Sequence, residues 1–126
     1  MKNTFYFSIN AHFGKDYDVS KLENIFGFKA DKLIYLKDSL GPNPSAKFLY
    51  RTKNFEEIYS DKLFEEFVEG IYNKANKIKE ELVNNNGRLT FCIVFTNFVA
   101  KPCLYLSNKT LSQLSEMGAN YDVDFI

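Results

Sequence analysis

Residues 88–96, Arg-Leu-Thr-Phe-Cys-Ile-Val-Phe-Thr, narrow the possible folds more than any other stretch of this chain. Leu89, Phe91, Ile93 and Phe95 recur at period two, so an extended backbone puts all four on one face. The other face holds Thr90, Cys92, Val94 and Thr96, which suits a central strand covered on both sides. A matching helical layer is written between Asp61 and Val83, where apolar residues fall at 63, 64, 67, 68, 71, 72, 75, 78 and 82. That spacing predicts one amphipathic helix of about six turns. Ser60 or Asp61 can cap its start, and Asn84-Asn85-Asn86-Gly87 ends it. Gly70 in its middle costs about 1 kcal/mol relative to alanine, which points to close packing against another element there.

The remaining elements follow from the same periodicities. Residues 4–9 alternate, with Phe5, Phe7 and Ile9 on one face, and predict a first strand. A polar turn from Asn10 to Tyr17 follows, and Asp18 can cap a short helix that turns Val19, Leu22, Ile25 and Phe26 inward. Gly27 suits the left-handed position just past its end. Residues 32–37 and 46–51 read as strands separated by the Leu40-Gly-Pro-Asn-Pro-Ser45 loop. Residues 102–106 are expected to pair back on 88–96 as a hairpin. Ser107 then caps a helix with Leu111, Leu114 and Met117 inward, stopped by Gly118. A last strand, Asn120 to Ile126, alternates Tyr121, Val123 and Phe125 with Asp122 and Asp124. The order β-α-β-β-α-β-β-α-β lacks regular βαβ alternation. It predicts a single α+β domain over 1–126, with a mainly antiparallel sheet and the long helix packed on it.

Sixteen Lys+Arg balance sixteen Asp+Glu, so no global field draws in nucleic acid or an anionic membrane. The distribution is nevertheless blocked. Residues 1–55 carry nine basic and five acidic groups, whereas residues 56–69 carry one and six. Thirteen Phe and eight Tyr without Trp favour a sheet protein over a plain helical bundle. Cys92 and Cys103 read as reduced thiols, because reflecting the expected hairpin about its loop does not place them opposite each other. No signal peptide or run approaching ~18 apolar residues is expected, which points to the cytoplasm.

Candidate chemistry is sparse. His12 is the single histidine, placed in the turn after the first strand, where Asp16 or Asp18 could orient it. Its other reading is a loop histidine bonded to backbone or water. One histidine and two distant cysteines match no common zinc spacing, and no metal or cofactor is expected. Asp122 and Asp124 share one side of a strand, a geometry open to a hard cation and equally to protecting a sheet edge. Tyr6, Tyr35 and Tyr50, flanked by Lys32, Lys37, Lys47 and Arg51, could stack and clamp single-stranded nucleic acid. The strongest feature is acidic: Asp61, Glu65 and Glu69 stand at i, i+4 and i+8, with Glu56, Glu57 and Glu66 close by. Such a line either forms a solvated helix face or meets a basic partner and steers its approach.

The C-terminal residues Leu104-Tyr105-Leu106-Ser107, Thr110-Leu111 through Leu114, and Gly118-Ala119-Asn120-Tyr121-Asp122-Val123-Asp124 form a strand–helix–"lGaxxdxD" pattern. With the Phe/Tyr-rich first strand and Ile25-Phe26-Gly27-Phe28, this pattern resembles an uncharacterised bacterial family of small stand-alone domains. The chain differs from it at Ala30-Asp31, where the family often has Pro-Thr, and at Phe48, where it favours Trp. The resemblance implies an α+β domain with an antiparallel sheet and no catalytic residues. Proteins like these include immunity proteins encoded beside polymorphic or contact-dependent toxins. The expectation is therefore a non-enzymatic cytoplasmic immunity protein that blocks a basic toxin domain, such as a nuclease. Its contact residues would be Asp61, Glu65, Glu66 and Glu69 or the Asp122/Asp124 edge. The alternative is a binding module for single-stranded nucleic acid or a small ligand around Tyr35 and Tyr50.

Overall fold

Phe5, Phe7, Ile9, Ala11 and Phe13 are all buried, and the strand that carries them, β1 (Asn3–Phe13), lies at the middle of a six-stranded sheet. The structure, a computed structural model, describes residues 2–97, 99 and 104–126. β1 pairs antiparallel with β3 (Ala46–Arg51), with β5 (Gly87–Asn97) and, through its first residues, with the short β4 (Phe55–Glu57). β2 (Lys32–Ile34) adds antiparallel to β3, and β6 (Ala119–Phe125) closes the other edge beside β5, giving the order β2-β3-β1-β5-β6.

Among the described residues four α-helices supply the second layer: α1 (Lys21–Phe26), α2 (Ser60–Tyr72), α3 (Ala75–Asn84) and α4 (Asn108–Glu116). They meet the sheet face that carries Phe7, Phe48 and Phe91, where aromatic rings interlock. Phe64 packs edge-on against Phe7 at 5.3 Å, and Phe26 lies 5.3 Å from Phe48. Among the described residues no helix covers the opposite face, which carries Tyr6, Ser8, Asn10, Leu49, Cys92 and Val94. The double cover expected for β5 is therefore half met. Cys92 and Val94 are still buried, because Tyr6, Ser8, Asp122 and Asp124 stand beside them in register on the neighbouring strands.

The α+β class is as expected, but the sheet is mixed rather than antiparallel throughout. β6 runs parallel to β5, since α4 carries the chain back to the starting end of β5 before β6 begins. The expected 102–106 hairpin is not formed by its described part. Leu104–Leu106 carry no strand, β1 and β6 flank β5, and Pro102 and Cys103 lie outside the described residues.

The single long helix is two helices. The ladder breaks at Asn73–Lys74, where the Lys74 amide bonds to the Ile71 carbonyl (3.0 Å) and the Lys74 ammonium donates to the Phe26 carbonyl (2.6 Å). Ile71, Ala75 and Ile78 stay buried across the break, so the apolar period runs on unchanged. Gly70 has no close neighbour: a Cβ there would meet nothing within 4 Å. Gly70→Ala is expected to stabilise the protein by about 0.5–1 kcal/mol, read as a higher urea midpoint at unchanged slope.

Local signals hold where capping is local. Gly27 is left-handed (φ 87°), and the Ser107 side chain accepts the Thr110 amide at the start of α4. Asp18 caps the turn before α1 rather than the helix itself, accepting the Ser20 amide (3.1 Å) and hydroxyl (2.6 Å). Tyr17, expected in a polar turn, is buried. Its ring stacks on Phe13 at 4.1 Å and its hydroxyl donates to Glu81. No helix of the described residues is long and apolar enough to cross a membrane.

Candidate functional site

The acidic line on α2 is a seam between helices rather than an open ridge. Asp61, in its first turn, is buried. Glu65 Oε2 accepts the Ser107 amide (2.7 Å) and the Thr110 hydroxyl (2.7 Å), sitting at the positive end of α4. Burial raises the Glu65 pKa, but the Ser107 and Thr110 hydrogen bonds and the Lys109 charge outweigh it and hold the carboxyl below its ordinary value. One turn on, Glu69 Oε2 accepts the Gln113 side-chain amide (2.5 Å) and pairs with Lys109 at 3.4 Å. The Gln113 bond is the main reason its carboxyl is also held low. An open groove of about 700 Å³ runs along this seam. Glu66 is exposed on α2, and Glu56 and Glu57 are exposed on β4.

The second acidic pair is placed differently. Asp122 and Asp124 are exposed on β6, the edge strand, and both project to the helix-free face. Cys92 stands opposite Asp122 in register, and its thiol donates to Asp124 Oδ2 at 3.7 Å. Its burial, and then the Asp124 and Asp122 charges, push the thiol pKa up to about 12, so it stays protonated and is a weak nucleophile at neutral pH. The three donor atoms lie within 4.8 Å of one another. One sulfur and two carboxylates could hold a cation in number, but both carboxylates are open to water and the sulfur is a thiol rather than a thiolate. Across the helix-free face, Arg51 stacks 3.7 Å over the Tyr6 ring. The two border a hollow of about 390 Å³ that also takes in Lys32, Leu49, Val94 and Asp124. This surface carries Lys32 and Arg51 with Asp31, whose carboxylate accepts the Arg51 amide (2.7 Å), at one side and is acidic at the β6 edge.

The aromatic surface expected around Tyr35 and Tyr50 is not assembled. Tyr50 packs on Phe28 at 4.1 Å on the helix-bearing face, and Tyr35 is half-buried ahead of a 3₁₀ turn at Leu36–Asp38. Tyr6 with Arg51 is the part of that group that the sheet brings together. His12 lies within β1, not in a turn, because pairing with both β3 and β5 continues to Phe13. Its cross-strand neighbours are Lys47 and Arg88. Burial first, then those two charges, hold its pKa below 6.5, which leaves it neutral at pH 7. Asp18, one of its two expected orienting partners, is bonded to Ser20 instead. Two features could not be reached from local pattern: the partners that α4 supplies to Glu65 and Glu69, and the Cys92–Asp124 contact. Strand parity would have joined the latter pair once the β5–β6 register was known. No family model, curated protein or solved structure matches this chain.

Proposed function

We propose that this chain is an immunity protein: in the cytoplasm it binds a cognate bacterial toxin domain with a basic surface, such as a nuclease cleft, and blocks it by bulk and charge. The observation that carries the reading is the exposed Asp122/Asp124 pair on an edge strand, beside a sheet face that no described helix covers. Of the expected contact residues, Asp61 is buried and Glu65 and Glu69 are engaged by α4, which leaves Glu66 and the β6 pair to meet a partner. An oxygen of each carboxylate lies within 4.8 Å of the other, close enough for the pair to act together on an approaching cationic cleft. The resemblance of the C-terminal pattern to a family that includes toxin-immunity proteins supports the same reading.

The test mixes the purified chain with the toxin domain encoded next to its gene. A complex at submicromolar concentration and loss of toxicity are the expected results. Reversing both charges (Asp122→Lys with Asp124→Lys) should weaken binding by about 100-fold, mainly through slower association with a flatter salt dependence. Persistent toxicity, or affinity unchanged by the reversal, sinks the reading.

One observation favours a second reading: Arg51 stacked on Tyr6 beside Lys32 makes a small cationic, aromatic platform on the helix-free face. Such a platform suits single-stranded nucleic acid or a small anionic ligand. Absorbance at 260 nm retained through purification, and lost in Tyr6→Ala, separates it from the first.

A further inference from the structure

Resting on the basic-partner reading above, we propose that the outer edge of β6 takes up an extended segment of the partner as an additional strand, with basic residues opposite Asp122 and Asp124. The backbone parity of β6 is set by the bond from the Ile126 amide to the Phe95 carbonyl, 2.9 Å. In a parallel ladder, bonding residues alternate, so 122 and 124 turn their amides to β5 while Tyr121 and Val123 turn theirs outward. The Val123 amide confirms this direction: it donates to Asp122 Oδ1 at 2.9 Å, a local carboxylate standing where a neighbouring strand's carbonyl would be. Among the described residues no strand pairs with this edge.

Charge selects the occupant. A second copy of this chain would bring its own Asp122 and Asp124 against the same pair, and like charges facing across a ladder are destabilising. A strand with lysine or arginine at alternate positions draws the carboxylates to itself and frees the Val123 amide for an incoming carbonyl. The intervening residues of that strand fall on the other face, beside half-buried Tyr121 and Val123, and should be apolar. The edge thus specifies alternation of basic and apolar residues, a recognisable mode of strand addition.

The test uses the whole chain and a blocked heptapeptide, Thr-Lys-Val-Lys-Val-Lys-Thr, with a control in which each Lys is Glu. Hydrogen exchange followed by NMR should slow at the Tyr121 and Val123 amides by about tenfold or more on adding the Lys peptide, with Asp122 and Asp124 amides unaffected. The Glu peptide should change nothing. Val123→Pro removes an outward amide that the β5 ladder does not use, and should weaken the Lys peptide by about tenfold. Exchange unchanged at millimolar peptide, protection appearing on another element, or full affinity in folded Val123→Pro each overturns the proposal. If Val123→Pro does not fold, the exchange result on the unaltered chain decides. In the toxin complex, neutralisation without protection of Tyr121 and Val123 rejects strand addition and leaves the immunity reading standing. Peptide addition without toxin binding does the reverse.

Discussion

Phe7→Ala is expected to lower stability by about 3–5 kcal/mol, measured as the free energy of unfolding in urea. Phe7 is 1% exposed, and its ring meets Phe5, Phe55, Phe64 and Phe67 at centroid distances of 5.3–5.6 Å. It is the ring through which the central strand, the β4 edge and α2 are joined. Removing it leaves a cavity that four aromatic rings cannot fill without leaving their own contacts. For a domain of about 5–15 kcal/mol total stability, this is a large fraction, and the melting temperature should fall by roughly 10–20 °C. Phe125 makes a useful contrast: it stacks on Phe95 at 5.1 Å but is 54% exposed. Phe125→Ala should cost no more than about 1 kcal/mol. Equal losses at the two sites would mean that the core is not organised around Phe7.

Glu65→Ala is expected to cost about 2–3 kcal/mol, because it leaves the Ser107 amide and the largely buried Thr110 hydroxyl without their charged acceptor. Glu65→Gln keeps an acceptor and loses only the charge, so its cost should be smaller. The pH dependence carries a definite sign. The carboxyl is held below its ordinary 4.5 in the folded protein, so the unfolded chain takes up the proton first as pH falls. The stabilisation is complete above about pH 5 and is lost as pH falls through 4.5 and then through the folded value. Thermal melts between pH 6 and 3 should therefore converge for the native chain and Glu65→Gln at the acid end. A gap that stays constant with pH would mean that the charge of Glu65 contributes nothing.

The same residue shows what the sequence could and could not carry. Helical spacing groups Asp61, Glu65 and Glu69 on one helix, but what Glu65 and Glu69 face depends on where α4 lands, more than forty residues away. Ser107, Gly27 and Gly118 were legible because a cap is made by a residue and its immediate neighbours. The break at Asn73–Lys74 was not, since the apolar period continues across it and the anchoring bond goes to Phe26. His12 was misplaced for a related reason: Asn10-Ala-His alternates weakly, and the strand persists there because two neighbours pair with it. Asp122 and Asp124 were placed correctly on an exposed edge, as alternation with Tyr121 and Val123 requires. The parallel direction of that edge, which decides which amides look outward, comes from the crossover and not from the strand's own residues.

The central place of β1 has a consequence for how the protein is made. Phe5 pairs with Phe95 and Phe13 with Gly87, so the innermost strand leaves the ribosome long before its main partner exists. Until β5 is synthesised, a strand rich in phenylalanine has only β3 and β4 to pair with, and one of its edges stays open to other chains. Folding is deferred to a late, long-range closure, which is slow and exposes the nascent chain to aggregation. A trigger-type chaperone that shields the first strand should therefore raise soluble yield more than any change made at the β6 edge.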